Sequence, residues 1–348
     1  MKSFKDLSKD ITDEEYRSMD LISYSMLSAF SKEGPQAIKK YLDHDTDTDR
    51  YLERGALMDR IVFEGPVYIR KNFSFLADCD MPGDKLKSIA DSIHNAFPGK
   101  ALDSIPKQVI VTAANMHDYQ TNWKDDTRVD KIVKSAGKYY SLLTEGKKIL
   151  SVDQYESLLR ASEILLDSPV YPRCSNNGET EMFTQLKFVA NVEHVGEYKF
   201  MPDLIIVNHI RKTIKIYDLK TTGKWEEYFP DSVTRYGYYI QACMYVQGLK
   251  SIIEKDPDFR EYTVDPVFSF ITINTSSPGP IQWDFRMSLN TNGFVDDKGT
   301  VYKGWVRLYR ECRWHISTGI FNYSYDTYVN NYRREITNIN VIGSTGRR

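Results

Sequence analysis

The sequence predicts an α/β protein whose mixed sheet is centred on a single hairpin and covered by helices. Three observations carry that prediction. Residues 198–224, YKFMPDLIIVNHIRKTIKIYDLKTTGK, read as strand, polar turn, strand. A strongly amphipathic run, ILSVDQYESLLRASEILLDSPVY at 149–171, precedes them. A helical run at 230–250 and the apolar PVFSFITIN follow, so the second half reads helix, strand, strand, strand, helix, strand.

Taken in order, residues 1–20 are charged and read as an N-terminal extension. The segment LISYSMLSAFSKEGPQAIKKYL opens on serines suited to capping and places Leu27 and Phe30 at helical spacing. Gly34-Pro35 then breaks the run before a second short helix. The aspartate-rich DHDTDTDR reads as a solvated loop, without the glycine and distal glutamate of a calcium loop. In YLERGALMDRIVFE, residues 51–64, Leu52, Leu57, Ile61 and Val62 form the packed face of a helix. Gly55 permits close approach of another segment, and Asp59 sits one turn beyond it. Residues 67–106 are irregular, a mix of loop and short helix, and 107–122 and 128–144 read as helices. Ser151 or Asp153 caps the helix that follows, Leu158, Leu159, Ile164 and Leu165 form its stripe, and Pro169 stops it. EMFTQLKFVA reads as a strand leading to the hairpin. The helix over 230–250 carries Tyr238, Gln241 and Tyr245 on one face. Beyond a polar loop, a helix spans 302–317. The expected division is an extension at 1–20, a core at 21–290 with a largely helical insertion at about 67–170, a helical region at 291–336 and a disordered tail at 337–348.

A hairpin closing about Ile210 and Arg211 sets Asp203 opposite Asp218. Alternation puts Asp218 on one face with Ile214, Ile216 and Lys220, and Asp203 on one face with Met201, Ile205 and Val207. Two carboxylates then stand side by side on an apolar face, with roughly 4.5–5.5 Å between Cβ atoms. Like charges so placed repel, and a divalent cation relieves the repulsion. Lys220 projects to the same side, where its ammonium can hold a water or a phosphate oxygen. That combination suits metal-assisted phosphodiester chemistry. The plain alternative is a surface hairpin whose Asp203, Asp218 and Lys220 merely face water; the apolar neighbours weigh against it.

Composition limits the other classes. The 348 residues carry a formal charge of −2, so any nucleic-acid groove depends on local clustering or bound metal. The charged N-terminus is unlike a signal peptide, and no apolar run is long enough to span a bilayer, which points to an intracellular, cytoplasmic protein with no membrane partner. Cys79, Cys174, Cys243 and Cys312 are far apart, without a C-x-x-C pair, which argues against zinc-ribbon, redox and iron–sulfur sites.

The ordered set GALMD, Glu, Pro-Asp, Asp-Leu-Lys and a helical Q-x-x-x-Y resembles the PD-(D/E)xK nuclease superfamily, closest to its RecE-like and RecB-like (exodeoxyribonuclease VIII-type) branch. ISYSMLSAF, GALMDRIVFEGP and the helix before the sheet look similar too, so the resemblance covers roughly residues 20–250. It implies a restriction-endonuclease-like core and a DNA exonuclease acting in recombination or end-processing, of a kind that phages encode in bacterial hosts. Asp203 and Asp218 would bind Mg²⁺, with Mn²⁺ as a substitute, together with the Leu219 carbonyl and Glu181. Glu179 competes with Glu181 for the last role. Lys220 would orient the attacking water. Gln241 and Tyr245 match the pair that contacts DNA, joined by Tyr238, Lys224 and Arg235 as further substrate contacts. Arg211 and Lys212 sit at the turn tip, where solvation is the simpler reading. The branch carries His where this chain has Asp59, which leaves Asp59 open as a metal ligand. The cysteine cluster of related iron–sulfur nucleases is missing, so no iron–sulfur cluster is expected. A single-strand-annealing partner protein and a homo-oligomer are compatible with the resemblance. An endonuclease or single-strand nuclease on the same core, or an inactive DNA-binding assembly protein, are the rival readings.

Overall fold

Pro202 decides where the central sheet begins. Proline has no N–H to give to a ladder, and residues 198–207, expected as one strand, form two strands in different sheets. Gln185 makes a second break, with φ 50° in the left-handed region, so EMFTQLKFVA is also two strands. An extra hairpin is thereby interposed before the central one, and Met201 no longer shares a strand face with Asp203.

The computed structural model describes residues 2–43, 50–174, 178–286, 293–296 and 299–333. The aspartate-rich stretch 44–49, the side chain of Leu52 and the tail from 334 onward lie outside the described residues. The chain begins with α1 (Asp13–Ser18), α2 (Tyr24–Glu33), α3 (Pro35–Leu42), α4 (Arg50–Glu64) and α5 (Pro66–Asn72). β1 (Phe73–Leu76), α6 (Asp84–Ala96), α7 (Lys107–Met116), α8 (Asp125–Leu143), β2 (Lys148–Ser151) and α9 (Val152–Asp167) follow. The central part contains β3 (Thr180–Thr184), β4 (Phe188–Val192), β5 (Gly196–Phe200), β6 (Leu204–Asn208) and β7 (Thr213–Thr222). Next come α10 (Phe229–Arg235), α11 (Tyr238–Ile253), β8 (Thr263–Val264), β9 (Val267–Asn274) and β10 (Ile281–Arg286). β11 (Gly293–Val295), β12 (Val301–Lys303), α12 (Trp305–Thr318) and α13 (Tyr325–Val329) complete the described elements.

The expected hairpin register is present: Leu204 lies opposite Tyr217, Ile205 opposite Ile216 and Asn208 opposite Thr213. The mixed sheet runs β10-β9-β7-β6-β3, with β8 also on β7. β7 and β9 are parallel, joined by a crossover through α10 and α11. One face buries Ile205, Val207, Ile214, Ile216, Phe268 and Phe270 in the larger core, with α2, α11 and α12. The other buries Leu219, Ile271 and Ile273 against Leu57 and Ile61 of α4 and Leu158 and Leu165 of α9. The result is a mixed central sheet flanked by helices on both faces. β6 pairs with β7 only as far as Tyr217, whereas β7 continues beside β9 to Thr222. Residues 218–222 therefore have one edge that no strand among the described residues covers.

Caps fall where the sequence places them. The Ser23 hydroxyl accepts from the Met26 N–H at 3.4 Å to start α2, and the Ser151 hydroxyl accepts from Gln154 at 3.1 Å to start α9. Other expectations need correction. The stretch at 67–106 contains the regular helix α6, whose Ile89 and Ile93 build a separate core with Ile110, Ala114, Ile132 and Tyr140. The helix expected over 230–250 is broken at Gly237, at φ 69°, into α10 and α11. The helix expected from 302 starts at Trp305, because Val301–Lys303 pairs with Gly293–Val295. The first 20 residues, expected as an extension, pack against the core. Phe4 is wholly buried against Phe183, Phe188 and Phe259. The Lys199 ammonium donates to the carbonyls of Tyr16, Arg17 and Met19 at 2.8, 3.0 and 2.8 Å, closing the end of α1.

Gly248 lets α11 pack down on β5. A Cβ there would stand 2.7 Å from the Phe200 ring and 2.9 Å from the Tyr198 hydroxyl. Phe200 is stacked on Phe188 with centroids 5.2 Å apart, so its ring has little room to retreat. Overpacking costs about 1–3 kcal/mol, against about 1 kcal/mol of helix propensity gained. Gly248→Ala is therefore expected to destabilise the fold by up to about 2 kcal/mol in urea unfolding; a raised midpoint would contradict this packing.

Candidate active site

The uncovered edge of β7 gathers the charged groups. Asp218 and Lys220 alternate onto the face covered by α11, and Asp203 stands one residue before the last β6–β7 pair. The Asp203 Oδ2 accepts from the Leu219 N–H at 2.8 Å, occupying a backbone position that β6 has vacated. In a strand, the N–H and C=O of one residue point to the same side, so the Leu219 carbonyl faces that same edge. α4 lies across the end of β7, where a Cβ on Gly55 would stand 3.3 Å from the Thr221 Oγ1. The close approach expected at Gly55 is thus to a threonine side chain. It brings Asp59, one turn on, within electrostatic reach of Asp203, Asp218 and Lys220.

Asp218 is the most enclosed member, at 1% exposure. Its Oδ1 accepts from the Gln241 Nε2 at 2.6 Å, and its Oδ2 is ion-paired with the Lys220 Nζ. The Lys220 Nζ also lies 4.8 Å from the centroid of the Tyr238 ring. Burial raises the proton affinity of Asp203 well above the ordinary carboxylate range, and Asp218 and Asp59 push it further the same way. Asp59 is half-buried, and its carboxyl is pushed up to about 7, mainly by burial and then by Asp218, against the pull of Lys220 and Arg60. Arg60 is itself engaged by Glu64 and Asp13. For Lys220, burial acts to lower proton affinity, but Asp218, Tyr238, Asp203 and Tyr24 outweigh it and the net shift is strongly upward. Lys220 is therefore a firmly held cation among crowded acids.

The expected residues do not all converge. Glu181 pairs with Val207 in the β3–β6 register, whereas the backbone N–H of Gln185 meets the Asp203 carbonyl at 3.1 Å. Four residues of strand, about 13 Å, separate Glu181 from the level of Asp203. Its carboxylate instead meets the His209 Nε2 at 3.1 Å, near the turn. Glu179 is further still along that direction, with its carbonyl on the His209 N–H at 2.9 Å. Neither glutamate belongs to the cluster. Arg211 and Lys212 are likewise at the turn end, and Lys212 is ion-paired with Glu261. Gln241 and Tyr245, expected as DNA contacts, are buried at 4% and 7% exposure. Gln241 holds Asp218, while the Tyr245 ring packs on Phe200 and Phe268 with centroids 5.4 and 6.2 Å away. They are positioning and packing residues. Lys224 and Arg235 are exposed on the segment linking β7 to α11.

Tyr24, on the ISYSMLSAF segment, joins the site without any motif in the sequence to mark it. Its hydroxyl donates to the Tyr236 carbonyl at 3.0 Å, joined there by the Ser28 hydroxyl at 2.7 Å, which fixes the break between α10 and α11. Burial pushes the Tyr24 hydroxyl far up, with Lys220 as the main opposing charge.

Among the described residues, no three His, Cys, Asp or Glu side chains are grouped as a metal-holding set. The donor chemistry nevertheless fits a hard cation. Mg²⁺ is usually held by one or two carboxylates with water completing its shell, and Asp203 and Asp218 share an edge with a backbone carbonyl. Their mutual repulsion is the second observation in its favour. Among the described residues, no helix is long and apolar enough to cross a membrane.

No family model and no curated protein matches the chain. Among solved structures, the chain is similar to the one reported as the crystal structure of SSO0001, at 13% identity over 66% of this chain and 83% of that one, with a TM-score of 0.22. A likeness that low carries no argument about either fold or activity.

Proposed function

We propose that the chain is a metal-dependent deoxyribonuclease with a restriction-endonuclease-like core, acting as an exonuclease on DNA ends. The observation that carries this reading is the buried Asp218, held between Lys220 and Gln241 beside an Asp203 of raised proton affinity. A purely structural ion pair would need neither the second carboxylate nor the third from Asp59. Asp203, Asp218 and the Leu219 carbonyl would hold Mg²⁺ or Mn²⁺, with Asp59 available from α4. A bound divalent cation supplies Lewis-acid polarisation of the scissile phosphate and neutralises charge on the leaving oxygen. The chain's own groups do the rest. Lys220, kept protonated by its acidic neighbours, orients the attacking water and stabilises negative charge that develops on the phosphate. Gln241 fixes the rotamer of Asp218, and the Tyr238 ring limits the sweep of the Lys220 ammonium.

The test is incubation of linear and covalently closed circular duplexes with the protein and Mg²⁺ or Mn²⁺. The expected result is cation-dependent loss of the linear form while closed circles persist. Cleavage of closed circles would favour the endonuclease reading, and no cleavage of any form would overturn the proposal.

A further inference from the structure

The linker from the site strand to α11 exposes aromatic rings that no packing role explains. Trp225, Tyr228 and Tyr236 are 63%, 57% and 43% exposed, although large rings are normally kept from water. They are arranged in order. The Trp225 and Tyr228 rings meet edge to face, 6.0 Å between centroids, at the start of α10. Tyr236, at its other end, lies 5.6 Å from Tyr238, the ring beneath Lys220. Phe229, the first residue of α10, stacks on Tyr238 at 5.6 Å. Tyr238 and Tyr236 thus lead from the candidate site to the surface, and the Trp225–Tyr228 pair precedes Phe229 in the chain.

The segment is also rigid. Glu226, between the exposed rings and itself 1% exposed, accepts from the backbone N–H groups of Asn274 and Gly279, both at 2.8 Å. A buried carboxylate spent on anchoring this turn holds Trp225 and Tyr228 outward without the ordering cost that a mobile loop would carry on binding.

We propose that this ridge is a stacking platform for the bases of a single-stranded nucleic-acid end entering the site. The identity of the occupant rests on the nuclease reading above. Chemistry distinguishes it from an apolar peptide: the large apolar residues exposed between β7 and α11 are all aromatic, with no exposed aliphatic anchor among them. One cation lies over the platform and two more adjoin it along the chain. The Lys32 Nζ is 5.1 Å from the Tyr236 centroid, Lys224 precedes Trp225, and Arg235 precedes Tyr236. Glu227 and Asp231 are exposed on the same segment, so stacking supplies more of the affinity than bulk charge does. Ring stacking on bases is tolerant of sequence, which suits an enzyme that works inward from any end. A paired duplex hides its base faces, so only unpaired nucleotides can use the platform.

The test is fluorescence anisotropy with a labelled oligothymidylate of about a dozen nucleotides, within the usual range of single-strand sites, in EDTA so that no cleavage occurs. The wild type is expected to bind it more tightly than a duplex of the same length. Trp225→Ala, Tyr228→Ala and Tyr236→Ala are each expected to weaken binding by about 5- to 150-fold. Trp225→Phe, which keeps a stacking face, is expected to bind nearly as the wild type does, and this separates stacking from any loss of fold. Lys32→Ala is expected to reduce the salt slope by about 0.7. Wild type that does not bind the oligomer, or alanine variants that bind it unchanged, would overturn the platform. Ring-dependent binding by a protein that never cleaves DNA would preserve the platform and remove the nuclease reading; cleavage with ring-independent binding would do the reverse.

Discussion

Asp218→Asn is expected to lower cation-dependent cleavage of linear DNA by on the order of a thousandfold, with a smaller loss of stability than alanine would bring. Asparagine keeps the volume at a position only 1% exposed, and its carbonyl can still accept from Gln241. What it removes is the charge that would hold the metal and that now pairs with Lys220. The buried ammonium is not stranded, because Asp203 also acts on it. The variant also relieves repulsion that raises the proton affinity of Asp203 and Asp59. Alanine is the poorer probe. It would leave the Gln241 amide facing a cavity and break a buried pair outright, a change that typically costs about 3–5 kcal/mol. A kcat/KM measurement on end-labelled duplex, run beside urea unfolding of the same preparation, separates lost chemistry from lost fold. Undiminished cleavage by a folded Asp218→Asn protein would remove Asp218 from the chemistry and, with it, the assignment of the site.

The parts of this site visible in the sequence are those set by local periodicity. An apolar first arm, a polar stretch at 208–212 and an alternating second arm point to a hairpin closing about Ile210 and Arg211, and Leu204 does pair with Tyr217. The helical spacing of Tyr238, Gln241 and Tyr245 likewise put them on one face, and that face does look toward the site strand. That face is turned into the core. YYIQACMYVQGL is apolar nearly all round, the mark of a buried helix, and that pattern already opposed a DNA-facing Gln241. Glu181 failed for a different reason. Its position was carried by order along the chain, whereas the contact depends on the β3–β6 register, and the inserted β4–β5 hairpin hides that register from a linear reading. Phe4 and Lys199 were illegible for a third reason. Each makes its contacts with segments far away in the chain, and neither belongs to a periodic pattern that would announce burial.

Asp59 gives the second large effect, and it appears as stability against pH. An unfolded aspartate ionises near pH 3.9, whereas Asp59 in the fold holds its proton up to about 7. Between those values the folded state binds more protons than the unfolded state, so stability is full at low pH and falls as pH rises through the window. The loss approaches about 4 kcal/mol once Asp59 is fully ionised, and this is an upper figure because the side chain is only half-buried. Asp203, shifted the same way, adds to the decline. In EDTA, the wild type is expected to lose urea resistance from about pH 5 to pH 8, and Asp59→Asn to lose distinctly less. Parallel curves for the two proteins would show that Asp59 ionises freely in the fold. Adding Mg²⁺ at the upper pH then asks whether this aspartate takes the place of the histidine in the resembled family. A cation that needs the ionised carboxylates binds with release of protons and restores stability. If Asp59 is a ligand, the restoration shrinks in Asp59→Asn. If it remains whole, Asp203 and Asp218 hold the ion without help from α4, and the raised proton affinity of Asp59 reflects its burial and the charge of Asp218 beside it.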